Sequence, residues 1–338
     1  MLRVRAARLV RTLASIAPRV GLVAPPPARP EGVSALVRVA GDEEWIEPCL
    51  RSLTGFADES LVLDNGATVG TLARIDAVTP RLGFPVRRFE CVGTELPEVA
   101  NRGLAECRFR WAFLWDADIV ARTDGPASIA RLKRVLAGLD RRRYHIVHVR
   151  TLELAGDLRH RFPDARERHD PHVLTAGGRA RYVWRERQIP PARAPLAYRP
   201  LRDGGPAQFR VRYDTLEAPK YYRVFGWPEP CLFHVNVRSG RRLLLRHFWL
   251  EWLGSGEGGT LEAFTRRRVY EQWGLDDLDV AAERFVGEYC RPLEPVDEAA
   301  IGGYPAALAP YVERGTYRVV YRDGRIVGRA ESTGARAC

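Results

Sequence analysis

Two aspartates two positions apart, Asp116 and Asp118, follow directly on the apolar run Trp111-Ala112-Phe113-Leu114-Trp115. Carboxylates at this spacing, where a chain leaves a strand, can share one divalent cation, because Mg2+ and Mn2+ take hard oxygen ligands. A cation held there can neutralise a diphosphate that gathers charge as its substituent departs. Alone, Asp-x-Asp is a common triplet, and a solvated strand-end turn contains it just as readily. A third acid, Asp64 in Asp64-Asn65-Gly66, closes another apolar run. It can accept hydrogen bonds from a ribose or a base, although Asn-Gly also favours a plain tight turn.

Elements must bring these acids to one place. Val33–Val39, Ser60–Asp64, Pro85–Phe89, Trp111–Trp115 and Tyr144–Arg150 read as short buried strands rich in apolar and β-branched residues. Helical stretches alternate with them: one holding Trp45 to Leu53, then Gly70–Val78, Glu95–Cys107 and Pro126–Leu139. Alternation of this kind predicts an α/β fold with a mostly parallel, twisted sheet covered on both faces. In such a sheet ligands bind beyond the carboxyl ends of the strands, where Asp64, Asp116 and Asp118 fall. From Thr151 to Pro230 the pattern is irregular and rich in Arg, Pro and aromatics, as acceptor-binding loops would be. Helices over Leu243–Leu253 and Phe264–Trp273 follow, and Asp323-Gly324 between two apolar runs predicts a closing hairpin.

The chain has 338 residues and 46% hydrophobic content, enough for a substantial core, which excludes global disorder. Its net charge is +11, but residues 1–30 carry six arginines and no acid, so more than half of that excess sits in the leader. The rest is only mildly basic, which weakens a nucleic-acid-binding reading built on Arg141–Arg143 and Arg266–Arg268. No helix-turn-helix, zinc-finger or ribonucleoprotein motif supports it. Six scattered cysteines show no Cys-x-x-Cys spacing and fit a reducing cytosol. On a helical wheel Leu2, Ala6, Leu9, Leu13, Ile16 and Val20 gather on one side, with arginines over most of the rest. That pattern suits a basic amphipathic helix lying on an anionic membrane surface; a disordered leader fits the same residues. Pro25-Pro26-Pro27 and Pro30 end it in a stiff linker.

Taken in order, Val33–Val39, Glu43-Glu44-Trp45-Ile46, Cys49–Leu53, Leu61–Thr68, Asn101-Arg102-Gly103-Leu104 and Trp115–Asp118 resemble the donor half of glycosyltransferase family 2, over roughly residues 32–122. The resemblance implies a GT-A fold and an inverting transfer of a sugar from a nucleoside diphosphate, with Mg2+ or Mn2+. It also implies that the backbone at Arg38 and Val39 and the side chain of Asp64 hold the nucleoside, with Asn101 nearby. Asp116 would face the ribose or the metal, and Asp118 would ligate the metal. Two departures bear on base identity: Gly41-Asp42-Glu43 stands where Asn-Glu is usual, and Ala67 and Val69 replace a Ser and an Asp.

Inversion requires a general base at the acceptor hydroxyl. The acids past Asp118 are Glu153, Asp157, Asp170, Glu186, Asp214 and Glu217. Glu186, beside Tyr182 and Trp184, is the first choice because its place along the chain is similar to that of the base in some family members. Asp170 is the second, and a surface Glu186 paired with Arg185 or Arg187 is the plain alternative. His234 is a further metal or diphosphate ligand on the resemblance, or else a core histidine bonded to backbone. Arg238, Arg241 and Arg242 follow it and could clamp a diphosphate.

The resulting expectation is a leader and linker over 1–31, a nucleotide-sugar- and metal-binding half over 32–150, and an acceptor-binding, catalytic half over 151–255. A C-terminal helical and hairpin extension occupies 256–338. The partners expected are a nucleoside-diphosphate sugar and a glycan or lipid-linked acceptor, in cell-envelope glycan synthesis at the inner face of the membrane. The alternatives are a nucleotidyltransferase, disfavoured because no Gly-rich phosphate loop follows the first strand, and an inactive GT-A-like binding protein.

Overall fold

The structure, a computed structural model, describes residues 10, 12–41, 44–164, 172–189 and 209–332, with His172, Phe209 and Arg210 described by backbone alone. Its centre is an eight-stranded sheet built from β1 (Val33–Gly41), β2 (Glu59–Ala67), β3 (Val86–Glu90), β4 (Trp111–Asp116), β5 (Ile119–Ala121), β6 (His145–Ala155), β8 (His172–Thr175) and β11 (Arg223–Asn236). The order is β3-β2-β1-β4-β8-β6-β11-β5. Neighbours β3/β2, β2/β1, β1/β4 and β6/β11 are parallel, whereas β8 runs antiparallel to both β4 and β6, and β5 antiparallel to β11. This is the mostly parallel α/β sheet that the strand–helix alternation predicts.

Side-chain alternation along each strand sorts the core into two layers. Ala35, Val37 and Val39 of β1, with Phe113 and Trp115 of β4, face helices α1 (Ile46–Arg51), α2 (Val69–Val78) and α4 (Ile129–Ala137). Leu36, Leu61, Leu63, Ala112 and Leu114 face helix α3 (Leu96–Glu106) and Tyr182. Gly103 lets that second layer close tightly: a Cβ there would lie 2.8 Å from Leu63 Cδ1 and 3.3 Å from Leu36 Cδ1, so both leucine side chains would have to shift. Phe113 and Trp115 are fully buried, and truncating either to alanine costs about 3–5 kcal/mol.

The described residues of the stretch expected to be irregular hold extended structure. The expected division at 150/151 falls inside β6, so the two halves share one sheet. A separate antiparallel hairpin, β9 (Arg181–Ile189) and β10 (Phe209–Glu217), lies over α3 and along helix α5 (Gly240–Ser255). Its alternation is hard to read because both faces carry arginines and aromatics. Helix α7 (Leu278–Cys290), which the sequence reading also omits, joins α5 and α6 (Leu261–Trp273) in a second core around Leu244, Phe248, Trp273 and Phe285. After the short helix α8 (Ala309–Arg314) the chain ends its described part in the expected hairpin, β13 (Tyr317–Arg322) and β14 (Arg325–Glu331). Two-residue strands β7 (His160–Arg161) and β12 (Glu294–Pro295) pair beside it.

The linker expected before the first strand packs against the amino ends of the parallel strands. Pro30 and Gly32 carbonyls accept the amides of Arg110 and Trp111 at 2.9 and 3.0 Å, and the Tyr144 hydroxyl donates to the Pro25 carbonyl at 3.3 Å.

Candidate donor site at the carboxyl ends of the strands

Parallel pairing places the end of β1 between the ends of β2 and β4. Arg38 is the register partner of Asp116, and Val39 of Asp64. Val39 is buried, so only its backbone can meet a ligand. Asp64 is also largely buried, and its Oδ1 accepts the amides of Gly66 at 3.1 Å and Ala67 at 2.8 Å. One oxygen of that carboxylate therefore shapes the turn that Asn65-Gly66 favours.

Asp116 and Asp118 face different partners. Asp116 remains half exposed, and its Oδ1 accepts from Arg38 Nε and Nη2 at 2.8 and 2.7 Å. The other edge of the same guanidinium donates to Asp214 Oδ2 at 2.5 Å. Arg38 thus ties the carboxyl edge of the sheet to β10. Burial opposes its charge, but Asp116 and then Asp214 outweigh it and hold the guanidinium more firmly protonated than usual.

Asp118 lies just beyond β4 in a buried turn, with its backbone carbonyl accepting the Val235 amide at 2.8 Å. Its Oδ2 meets the Arg238 guanidinium and lies 3.3 Å from His234 Nε2, while Oδ1 is buried with no hydrogen-bond partner. Burial alone would raise the carboxyl pKa; the charges of His234, Arg238 and Arg246 pull it well below the usual carboxylate range. His234 is the register partner of Glu153 on β6, whose carboxylate stands 4.0 Å from Nδ1. Burial opposes the imidazolium, but Asp118 and then Glu153 raise the His234 pKa above its ordinary value.

Other expected participants lie elsewhere. Asn101 on α3 uses both ends of its amide on Tyr182, donating to its carbonyl at 2.9 Å and accepting its amide at 2.7 Å, so it pins β9 to the domain. Arg241 points to α6 and α7, pairing with Glu262 at 3.0 Å and Asp279 at 3.2 Å; in place of it, Arg238 reaches the site. Glu186 is exposed on β9 opposite Arg212. Glu217 pairs with Arg185, and Asp157 is buried against His160 at 2.6 Å, near the C-terminal hairpin. Asp170 lies outside the described residues. Among the acids considered as bases, Asp214 is the one that the hairpin brings onto Arg38 at the carboxyl edge of the sheet.

The expected cation set of Asp116, Asp118 and His234 is brought together only in part. Asp118 and His234 converge, while Asp116 is turned to the strand-neighbour Arg38 by their shared register. Among the described residues no three His, Cys, Asp or Glu side chains form a cation cage. A divalent ion would fit through Asp118 Oδ1, which is buried without a partner, whereas Oδ2 is engaged by Arg238 and lies against His234 Nε2.

A group that the sequence reading gives no role holds Arg238 in place. Trp45 Nε1 donates to the Val237 carbonyl at 2.5 Å, and Glu44 Oε1 accepts the Ser239 amide at 3.2 Å. Tyr317 donates its hydroxyl to Glu44 Oε2 at 2.6 Å, and Glu331 accepts the Gly240 amide at 3.1 Å. The open amides at the start of α5 thus meet two carboxylates, one fixed by the terminal hairpin. These partners are up to 273 positions apart, and no local pattern announces them.

No protein-family model and no curated protein matches the sequence. Among solved structures, the chain is similar to residues 1–349 of S. aureus TarS in complex with UDP-GlcNAc, at 14% identity and TM-score 0.37, covering 89% of this chain and 98% of that one. It is also similar to the mannosyltransferase PcManGT from Pyrobaculum calidifontis in complex with GDP-Man and Mn2+, at 15% identity and TM-score 0.35, covering 93% and 90%. A third is glucosyl-3-phosphoglycerate synthase from Mycobacterium tuberculosis, at 19% identity and TM-score 0.27, covering 42% and 48%. The chain spans 43% of the longer S. aureus TarS structure. Likeness at this level is loose and names neither a donor nor an acceptor for this chain.

Proposed function

We propose that the chain is a divalent-metal-dependent, inverting glycosyltransferase that moves a sugar from a nucleoside diphosphate to a glycan or lipid-linked acceptor. The observation that carries this reading is the gathering of Arg38, Asp64, Asp116, Asp118, His234 and Arg238 at the carboxyl edge of one mostly parallel sheet. Asp64 and the backbone at Val39 would hold the nucleoside. Asp118 and His234 would hold the cation, which when bound supplies Lewis-acid neutralisation of the departing diphosphate. Arg238 adds a fixed guanidinium on the same side.

Asp214 is the general base in this scheme. Its carboxylate takes the proton of the acceptor hydroxyl while that oxygen bonds to the anomeric carbon. The bond to the diphosphate breaks on the opposite face, and its electron pair leaves with the phosphate oxygen. Arg38 keeps Asp214 at a set distance from Asp116, so base and donor site move as one unit.

The test is thermal stabilisation by UDP-, GDP-, CDP- and dTDP-sugars, each with Mn2+ and with EDTA. One nucleotide class should stabilise the protein in a Mn2+-dependent way, and Asp118→Asn should weaken its apparent affinity by about 10–100-fold. A shift that survives both EDTA and the substitution rules out the metal assignment.

A further inference from the structure

The described part of the leader carries a concentration of exposed apolar side chains: Val10 is 49% exposed, Leu13 and Val20 60%, and Leu22 80%. Of the other exposed large hydrophobics, Val320, Tyr321 and Val327 share the terminal hairpin and the remaining six are spread singly. Here four fall within thirteen residues, on a segment whose only described charge is the exposed Arg19. The turn beside the segment is mixed but mainly basic: the exposed Asp140, paired with Arg143, lies within electrostatic reach of Arg19. Arg108, Arg141, Arg142 and Arg179 are exposed, and Glu31 is engaged by Arg110 at 3.0 Å and Arg141 at 2.8 Å.

We propose that residues 10 and 12–22, with this mainly basic rim, form a docking surface for an anionic lipid bilayer. Apolar side chains would enter the headgroup boundary while guanidinium groups meet lipid phosphates, each basic residue adding attraction that salt weakens. The fold also fixes which way the docked molecule faces. The linker after residue 22 bonds to the amino ends of β4 and the approach to β6, whereas Asp64, Asp116, Asp118 and His234 lie at carboxyl ends. The nine residues of β1 separate the two poles by roughly 26 Å, at about 3.3 Å per residue. That is well beyond the ~8 Å Debye length at physiological salt. The donor pole, which rests on the function proposed above, therefore points away from the bilayer, and of the two acceptor classes named there a water-borne glycan reaches it and a lipid-linked one does not.

The full chain should be floated with vesicles of phosphatidylcholine alone and of phosphatidylcholine with one-third phosphatidylglycerol, without nucleotide. Binding to the anionic vesicles alone, weakened by salt and reduced at least about tenfold in the Leu13→Asp/Leu22→Asp double variant at unchanged thermal transition, supports the proposal. Fluorophores at Ala137→Cys, near the linker pole, and at Val69→Cys, at the donor pole, then report facing by energy transfer to a lipid-phase acceptor. Transfer should be strong from position 137 and weak from position 69. Equal binding to both vesicle types, no binding, or a dimer of the free protein abolished by the double variant overturns the docking proposal. Stronger transfer from position 69 overturns the orientation. Because vesicle binding is read without nucleotide, it fails or holds independently of the donor-site reading.

Discussion

At the scale of single residues, the chemistry of the site depends on which acid meets which cation. Asp116 and Asp118 were legible because they end an apolar strand, and Asp64 because it ends another on the same edge. Their partners were not legible. Whether Asp116 faces a metal ligand or Arg38 is decided by strand register, which one chain's residue pattern does not display. The same limit governs the base: Glu186 and Asp214 stand on one face of the β9–β10 hairpin, and only the three-dimensional path brings Asp214 onto Arg38. Asp214→Asn should therefore lower kcat by about 10²–10⁴-fold with donor affinity little changed, measured by steady-state transfer and by nucleotide titration. Glu186→Gln should leave kcat close to wild type. The reverse ranking would return the base to β9.

At the scale of elements, the start of α5 is a small assembly made by four distant segments. Glu44, Val237–Gly240, Tyr317 and Glu331 fix the turn that presents Arg238 to Asp118. Tyr317→Phe removes one charge-assisted hydrogen bond and little volume. Its donor KM should rise by up to about tenfold while kcat changes less, the size expected for a loss near 1.5 kcal/mol. In a double-mutant cycle with Arg238→Lys the two effects on nucleotide affinity should be non-additive, and strict additivity would separate the hairpin from the site. The hairpin itself was visible through Asp323-Gly324, and α2, α3 and α4 through their apolar spacing. Helix α7 escaped because its buried residues, Ala281, Ala282, Phe285 and Tyr289, include small ones that read weakly as a stripe. The β9–β10 hairpin escaped because its polar faces dilute the period of two.

At the scale of the whole molecule, the sheet contains a built-in acid sensitivity. His145 opens β6, buried between Trp111 and Phe225. Burial, reinforced by the charges of Arg110 and Arg223, pushes its pKa down to about 4. In the unfolded chain a histidine titrates near ~6.5, so between these values the unfolded state binds the extra proton. Stability is therefore complete above ~6.5 and is lost as pH falls towards 4, by an amount on the order of 3 kcal/mol. Urea midpoints at pH 7 and pH 5 should differ more for wild type than for His145→Phe; equal differences would place the acid sensitivity elsewhere.

The span between Glu44 and Tyr317 also sets when a newly made molecule can close the start of α5. At about 5–20 residues per second, a ribosome needs roughly 15–55 s to travel from one to the other. Through that interval the nascent chain already carries Asp64, Asp116 and Asp118 but lacks the contact that steadies Arg238. On the function proposed above, such a partial chain should bind nucleotide less tightly than one in which Tyr317 has met Glu44.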